Sequence, residues 1–394
     1  MLVNKLMKII ICFIIAIALT GCAIQPQTTQ TSQVDSANSI KIPKNFYAEE
    51  LGQCRMNGYR STEITATSYR SEIDPIIGFD WQTYHKKNGT SLDVNHKPLS
   101  KPMAYLSAAS HHAALGRNED EIQIVTDYIF QIAKNNQFMN TISLEEGWNT
   151  PCYAGSNNTS APCPLHAPEW LGITMTSYII SAVWLKEYFT TEQIQLINPY
   201  IKKIYLKFIE PRARNNAQSF NGVANGGISR LAYAAWTNDK KLAEQEFSFR
   251  FKQINEDWLE SGYIPGNSYR GVRGIFYHSL AIDMSLTYIQ LAKNWDYPVP
   301  DKVYEKVKKS AELLNIGIEN PEHFYNFPEN KIPYFASKNP ADTYGIDNQA
   351  IGLKELMKNV VGVDMKGDAE WERMARKEFT DIEAGFNPKC MFPN

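Results

Sequence analysis

Apolar residues recur at helical spacing from Pro102 onward, and turn-forming residues separate the runs. This pattern predicts antiparallel helix pairs over 103–115 with 119–134, 170–188 with 191–209, 222–236 with 239–259, 274–293 with 301–314, and 347–358 with 368–379. Pro211 is expected to end the second pair. Residues 41–100 contain scattered Gly, Pro and Asn and predict irregular backbone, and the sequence has no convincing run of strands.

Helix pairs without strands are compatible with a solenoid, a bundle or a closed toroid of hairpins. The pairs share no strict sequence period, which disfavours a regular repeat array. We therefore expect an all-α fold, an incomplete (α/α) toroid of antiparallel helix hairpins formed by residues 41–394. In such a toroid, functional residues are expected on the loops and inner-helix ends at one mouth.

The N-terminus has the layout of a signal peptide, since Lys5 and Lys8 precede an apolar run over 9–19 that is short for a membrane span. The run ends in Leu-Thr-Gly-Cys, which resembles the bacterial lipobox. This resemblance implies that residues 1–21 are cleaved off and that the sulfur of Cys22 is lipidated. The alternative is a plain secretory peptide with an incidental cysteine. In both cases the mature protein works outside the cytoplasm.

The residues after the signal peptide predict a tether, and the residue after Cys22 predicts where the protein is located. Residues 22–40 predict a lipidated, flexible tether, because 25–39 are rich in Gln, Thr and Ser. Ala23, rather than Asp, after the lipidated cysteine implies sorting to the outer membrane. We expect a monomer that its N-terminal lipid anchors in the membrane, on the periplasmic side of the outer membrane or at the cell surface.

Besides Cys12 and Cys22, the cysteines are Cys54, Cys152, Cys163 and Cys390. An even number in an oxidising compartment indicates two disulfides. Cys152 and Cys163 bracket a loop rich in Gly, Asn, Ser and Pro, so we pair them, which leaves Cys54 with Cys390 to join the ends of the domain. The sequence contains no Cys-x-x-Cys or His-x-x-x-His spacing, so we expect no metal and no cofactor.

The candidate chemistry lies in residues 262–281. This stretch begins as a turn at Gly262 and continues as a helix. Arg270, Arg273 and Tyr277 fall on one face if the backbone is already helical there. Two guanidiniums and a phenol beside a glycine-rich entry indicate a site for a carboxylated substrate.

The same stretch resembles the signature of the mannuronate-specific alginate lyases, polysaccharide lyase family five. That signature is a Gly-aromatic-Leu-Pro turn followed by Arg-x-x-Arg-x-x-x-Tyr-His. Here Gly262-Tyr-Ile-Pro is followed, without gaps, by Arg270, Arg273, Tyr277 and His278. Residues 226–238 also resemble the family's small-residue helix that ends in Thr-Asn. The resemblance covers about 220–285 well and the rest of the chain only as helix pairs.

The resemblance implies β-elimination of a uronic-acid polysaccharide. The C5 proton of a uronate can be removed once hydrogen-bond donors neutralise the adjacent carboxylate. Tyr277 matches the family's tyrosine, which serves as base and then as acid when the proton and the departing O4 lie on one face of the sugar. Arg270 matches the arginine seven residues earlier, and a guanidinium near a phenol favours the phenolate. The alternative is a core or rim tyrosine beside a turn-capping arginine.

The family's second catalytic segment normally reads Asn-Asn-His, whereas the aligned residues here are Phe220-Asn221-Gly222. Asn221 is kept and is the expected neutraliser of the carboxylate, with a helix N-cap as the alternative. Asn225, about one turn on, is a substitute donor. The missing histidine either restricts the enzyme to syn elimination by Tyr277 on a β-uronate, or another histidine reaches the site.

Five further residues have two interpretations each. His166 and the His111-His112 pair are candidates for the missing histidine, although most such residues are ordinary loop or helix histidines. Arg273 binds a neighbouring uronate or braces the site through a salt bridge. His278 orients the substrate or forms hydrogen bonds within the inner wall.

Composition limits the partners. A net charge of −2 over 394 residues gives no indication of a nucleic-acid partner, and the expected partner is an acidic polysaccharide. A glycoside hydrolase on a similar toroid is one alternative, which would need a carboxylate pair drawn from Asp257, Glu260 and Asp283. A non-catalytic lipoprotein that binds an acidic polysaccharide is the other.

Overall fold

Four long helix pairs form most of the described structure, a computed structural model that covers residues 40–56, 59–80, 83–84, 97–139, 167–213, 228–270, 274–325, 352–366, 380–381 and 384–393. The eight helices are α1 (Lys97–Gly116), α2 (Glu119–Lys134), α3 (Ala167–Trp184), α4 (Thr191–Ile204), α5 (Ser229–Thr237), α6 (Lys240–Asp257), α7 (Gly274–Asn294) and α8 (Asp301–Glu319). Shorter helical segments are Arg70–Ile73, Glu210–Ala213, Pro265–Ser268, Pro321–Tyr325 and Leu353–Leu356. The only strands among the described residues are Arg55–Met56 and Tyr59–Arg60, an antiparallel pair of two residues each.

The odd-numbered helices form an inner layer and the even-numbered helices an outer layer. Burial separates the two, since α3 is buried on all sides from Leu171 to Trp184 and α7 is buried over most of its length. By contrast, α2, α4 and α8 alternate between buried and exposed faces, as expected for helices that cover a core. Within the inner layer α1 packs on α3 and α3 packs on α5, and in the outer layer α2 packs on α4.

The turns inside the pairs follow from capping residues. The side chain of Asn118 accepts a hydrogen bond from the N–H of Glu121 at the start of α2, and the side chain of Asp239 accepts one from Leu242 at the start of α6. Asn238 is left-handed at φ 54° and ends α5. The predicted turns between α1 and α2 and between α5 and α6 are therefore confirmed.

Two predicted helix ends are wrong because of prolines. Helix α1 begins at Lys97, before Pro102, whose ring displaces only a carbonyl of the first turn. Helical backbone also continues past Pro211, through a π-helical turn at Tyr205–Ile209 and then Glu210–Ala213. The wider π turn shifts the hydrogen-bond register, so the missing N–H of Pro211 falls in the first turn of the next segment, where it is tolerated.

The structure describes only part of the predicted C-terminal helix pair, 347–358 with 368–379. Leu353–Leu356 is helical and continues as a π turn to Val361, three residues beyond the predicted end. The predicted helix over 368–379 lies outside the described residues.

The two ends of the described domain meet beside α7. Cys54 and Cys390 form a disulfide, as predicted from the sequence. The indole N–H of Trp295 donates to the carbonyl of Phe46 at 2.7 Å, and the side-chain amide of Asn294 donates to the carbonyl of Tyr47 at 2.7 Å. Within the described part of the chain, no helix combines the length and the apolar character needed to span a bilayer.

Candidate active site

The turn that precedes α7 depends on a glycine. Gly262 has φ +90°, and a Cβ at this position would lie 2.7 Å from the carbonyl oxygen of Lys309 on α8. Ser310 fixes the same contact, because its hydroxyl donates to the carbonyl of Gly262 at 2.7 Å. The turn is therefore held against the outer helix at a distance that only glycine allows.

A second glycine brings the turn against the inner helix. Gly274 is the first residue of α7, and a Cβ there would lie 2.4 Å from the carbonyl oxygen of Ser268. Ser268 closes the short helix Pro265–Ser268, in which proline occupies the first turn. The two glycines thus allow the turn to pack between α7 and α8.

A buried chain of hydrogen bonds centred on His278 fastens this turn. The hydroxyl of Ser268 accepts from the N–H of Ile264 at 2.8 Å and lies 2.8 Å from Nδ1 of His278, while Nε2 of His278 lies 3.0 Å from the carbonyl oxygen of Ser310. Because a carbonyl only accepts, Nε2 carries the proton and Ser268 donates to Nδ1. His278 is fully buried, and burial lowers the pKa of its imidazole to about 4, so the ring is neutral.

This arrangement decides between the two interpretations of His278. Both of its ring nitrogens bind protein groups and none of its surface is exposed. The substrate contact considered for His278 is therefore wrong, and the residue braces the inner wall.

Arg270 and Tyr277 lie together at the start of α7. The guanidinium carbon of Arg270 is 4.1 Å from the centroid of the Tyr277 ring, a cation–π contact. Arg270 is exposed, and Tyr277 is half-buried in the first turn of the helix. The side-chain amide of Asn267 donates to the carbonyl of Tyr277 at 2.9 Å, which fixes the first turn against the preceding segment.

The contact arises in a different way from the one predicted. Helix α7 begins at Gly274, so Arg270 does not share a helical face with Tyr277. The guanidinium nevertheless lies over the ring. Such a pair can attract a substrate carboxylate through Arg270 and offer the phenol of Tyr277 for proton transfer next to it.

Most other predicted site residues lie outside the described structure. These are Asn221, Asn225, Arg273, His166, Cys22, Cys152 and Cys163. The structure therefore brings together Arg270, Tyr277 and the supporting His278, and the remaining assignments stay predictions.

An ion network joins Glu210 and Arg230, which in sequence precede and follow the undescribed residues 214–227, with residues of α6 and α7. Arg230, just after this segment, pairs with Glu210, just before it, at 3.3 Å and with Glu246 on α6 at 2.7 Å. Glu246 also accepts from Arg250 at 2.7 Å and from the hydroxyl of Tyr288 on α7 at 2.9 Å. Burial raises the pKa of Glu246, but Arg250 and Arg230 outweigh this effect and the pKa is lowered, so the carboxylate is charged.

Of the alternative residues that the structure describes, His111, Glu260 and Asp283 have environments that argue against a role beside Tyr277. His111 is fully buried, and its Nε2 lies 2.7 Å from the hydroxyl of Tyr47. Glu260 is exposed and pairs with three lysines of α8 at 3.5–3.9 Å, whereas Asp283 is fully buried. These positions give no support to a pair of carboxylates that flank a substrate.

The supporting residues Asn267, Ser268 and Ser310 were missed in the sequence. Asn267 and Ser268 lie inside the turn at no distinctive spacing, and Ser310 is more than thirty residues away from the motif. Adjacent hydrogen-bonding side chains inside a turn, next to a histidine in the following helix, were the only available signal.

No protein-family model matches the chain, and no curated protein matches it. Among solved structures, the chain is similar to alginate lyase A1-III from Sphingomonas species A1, with a TM-score of 0.53 and coverage of 76% of this chain and 76% of that chain. The sequences are 10% identical, so the likeness shows the fold alone. The fold is an incomplete (α/α) toroid. In this toroid Arg270 and Tyr277 lie at one end of an inner helix, where functional residues were expected.

Proposed function

We propose that the protein is a polysaccharide lyase that cleaves a β-linked uronic-acid polymer, such as polymannuronate, by β-elimination. The observation that carries this proposal is the Arg270 guanidinium 4.1 Å from the ring centroid of Tyr277, at the start of an inner helix. The toroid shared with an alginate lyase and the residue pattern over 262–278 support it.

The proposed reaction uses Tyr277 twice. Its phenolate removes the C5 proton of a uronate whose carboxylate is bound by Arg270 and Asn221. The electron pair of the C5–H bond forms the C4=C5 double bond, and the C4–O4 bond breaks. The phenol of Tyr277 then returns the proton to O4 and becomes phenolate again, so no other acid is needed.

The proposed substrate has the C5 proton and O4 on the same face of the ring, because one tyrosine must reach both. Gly222, in place of the family's histidine, favours this syn course. The proposal includes a lipid anchor at Cys22 and a site of action at the outer membrane, supported by the lipobox-like Leu-Thr-Gly-Cys. Asn225, Arg273 and His166 are proposed substrate contacts.

A panel of polyuronates tests the reaction. The purified protein is incubated with polymannuronate, polyguluronate, polyglucuronate and their acetylated forms, and the ultraviolet absorbance of the C4=C5 double bond is followed. We expect this absorbance to rise on at least one β-linked polymer. New reducing ends without this absorbance would indicate a hydrolase, and binding without any product would indicate a non-catalytic polysaccharide-binding lipoprotein.

The variant Tyr277→Phe tests the mechanism. Removal of the hydroxyl eliminates both proton transfers, so we expect at least about a 1,000-fold lower kcat with little change in substrate binding, as general acid and base contributions are each about 100–10,000-fold. Tyr304→Phe is a matched control, because Lys293 lies 4.9 Å from the Tyr304 ring in another cation–π pair. Retained activity in Tyr277→Phe, or an equal loss in Tyr304→Phe, would remove Tyr277 from the mechanism.

A further inference from the structure

Three metal-ligating side chains from distant parts of the chain meet in the core. Cys54 comes from the N-terminal segment, His111 from α1 and Cys390 from the turn Pro388–Met391, and their ligand atoms lie within 4.8 Å of one another. The relative exposures of Cys54, His111 and Cys390 are 3%, 0% and 2%. Because the three residues are so far apart in sequence, no short sequence motif predicts this cluster.

His111 has the surroundings of a metal-binding histidine. Its Nε2 lies 2.7 Å from the Tyr47 hydroxyl, while its buried Nδ1 has no hydrogen-bond partner. Metal-bound histidines use one ring nitrogen as ligand and fix the other through an outer partner, and Tyr47 occupies that second position here. Trp184 packs edge-on against the imidazole at 5.3 Å and holds its plane.

We propose that Cys54, Cys390 and His111 form a redox-controlled zinc site, which is closed while the disulfide is intact and binds Zn²⁺ once a dithiol or phosphine has reduced it. Two thiolates and one imidazole are a ligand set that Zn²⁺ prefers. The proposal differs from the sequence analysis, where the lack of Cys-x-x-Cys and His-x-x-x-His spacings predicts no metal. The proposal does not depend on the lyase activity.

The reaction steps balance. A dithiol supplies two electrons and two protons to the Cys54–Cys390 bond and becomes a disulfide itself. A phosphine supplies the two electrons and becomes the phosphine oxide, while one water molecule supplies its oxygen and the two thiol protons. Zn²⁺ then displaces both thiol protons, and a neutral imidazole nitrogen adds its lone pair.

The two sulfurs need to move only a short distance to change from a disulfide to zinc ligands. Two sulfurs in a disulfide are about 2 Å apart, and two sulfurs on a tetrahedral zinc ion are about 3.8 Å apart if each Zn–S bond is about 2.3 Å. The Cα atoms of Cys54 and Cys390 are 4.8 Å apart. Zinc would therefore keep the two ends of the domain joined after the covalent bond is lost.

Cobalt binding tests the proposal. The full-length protein with Cys152→Ala and Cys163→Ala is reduced with a phosphine in mild urea, returned to buffer without oxygen and titrated with Co²⁺. We expect one Co²⁺ per chain, with thiolate-to-cobalt charge-transfer absorbance in the reduced protein and none in the oxidised protein. A reduced protein that keeps its helical circular dichroism but shows no such absorbance would overturn the proposal.

Two neighbouring histidines supply a matched comparison. We expect His111→Gln to weaken Co²⁺ binding by at least about 100-fold, since even outer-shell partners contribute about 10–100-fold. His112→Gln should leave the affinity unchanged, and equal losses in both variants would contradict the assignment. If His111→Gln does not fold, X-ray absorption of the reduced, zinc-loaded parent decides the matter: two sulfurs with imidazole scattering support the site, and a zinc shell without imidazole overturns it.

Discussion

Arg270 contributes a flat, charged surface at the start of α7, and its shape matters as much as its charge. A guanidinium can lie parallel to an aromatic ring while its edge donates two hydrogen bonds to a carboxylate. The 4.1 Å separation between the guanidinium carbon and the Tyr277 ring centroid fits this geometry. A lysine ammonium at the same position would keep the charge but lose both the stacking and the paired donors.

This difference gives a prediction for Arg270→Lys. We expect kcat/KM on the best polyuronate to fall by about 10–100-fold in Arg270→Lys and by about 100–1,000-fold in Arg270→Ala, because loss of one positioned donor typically costs that much. Initial rates of ultraviolet absorbance measure both. Arg55→Lys, at an exposed arginine in the strand Arg55–Met56, serves as the control. Equal activity of Arg270→Lys and the parent would show that charge alone suffices.

His278 stabilises the fold only while it is neutral. Burial lowers the pKa of its imidazole from 6.5 to about 4. Between these two pH values the imidazole is protonated in the unfolded chain but stays neutral in the folded chain. The stabilising contribution is therefore complete above pH 6.5 and is lost as the pH falls toward 4. His111 has the same shift and adds the same dependence.

The pH dependence can be assigned with His278→Gln. We expect the variant to be less stable than the parent near neutral pH, and the difference in the free energy of unfolding to narrow by roughly 2–3 kcal/mol between about pH 7.5 and about pH 4.5. Urea unfolding followed by circular dichroism measures the difference at each pH. His323→Gln, at an exposed histidine, should show no narrowing. A constant gap for His278→Gln would mean that the buried ring is not the titrating group.

At the level of elements, the sequence predicts helices where side-chain caps mark their ends. Helix α2 has its predicted bounds because Asn118 caps its start and apolar residues line one face. The predictions for the ends near Pro102 and Pro211 are wrong, since a proline whose ring displaces only a first-turn carbonyl, or one that follows a π turn, does not stop a helix. Those outcomes depend on tertiary packing that the local sequence does not contain.

The candidate site, like the helices, is predictable from local sequence only in part. The spacing of Arg270 and Tyr277 brings them together, but through a turn fixed by Gly262 and Gly274 rather than along one helical face. The anchoring role of Ser310 was not predictable, because it lies on the next helix and acts through contacts that only the folded chain creates.

The buried carboxylate of Glu246 joins three of these elements. It binds Arg230 of α5, Arg250 of its own helix and Tyr288 of α7. Such a network is stable only when complete, since each buried charge depends on its partner. It therefore fixes the relative positions of two adjacent hairpins.

Removal of this charge should be costly. We expect Glu246→Gln to lower the free energy of unfolding by about 3–5 kcal/mol, because it removes the negative charge that pairs with Arg230 and with the Arg250 guanidinium, which is 2% exposed. Chemical denaturation of the purified variant measures the loss. Glu256→Gln is the control on the same helix, where an exposed pair with Lys252 at 3.8 Å should contribute less than about 0.5 kcal/mol. A loss below about 1 kcal/mol in Glu246→Gln would show that the network does not hold the hairpins.

On the scale of the whole molecule, an incomplete toroid has a first and a last segment that must be held together. Here the N-terminal segment packs beside α7, with the Trp295 indole bonded to the carbonyl of Phe46, and the Cys54–Cys390 disulfide joins residues 336 positions apart. Cross-linking such distant residues mainly restricts the unfolded chain, by up to about 5 kcal/mol for long loops.

The effect of the Cys54–Cys390 disulfide on the unfolded chain can be tested, because the loop that it closes is long. We expect Cys54→Ala with Cys390→Ala to lower the free energy of unfolding by about 2–5 kcal/mol and to raise the urea m-value, because the unfolded chain expands once the long loop opens. Cys152→Ala with Cys163→Ala removes the same number of cysteines from a much shorter predicted loop, so its m-value should change little. If both double variants kept the parental m-value, the disulfide would not restrict the unfolded chain, and packing around Trp295 and Phe46 would hold the ends of the domain together.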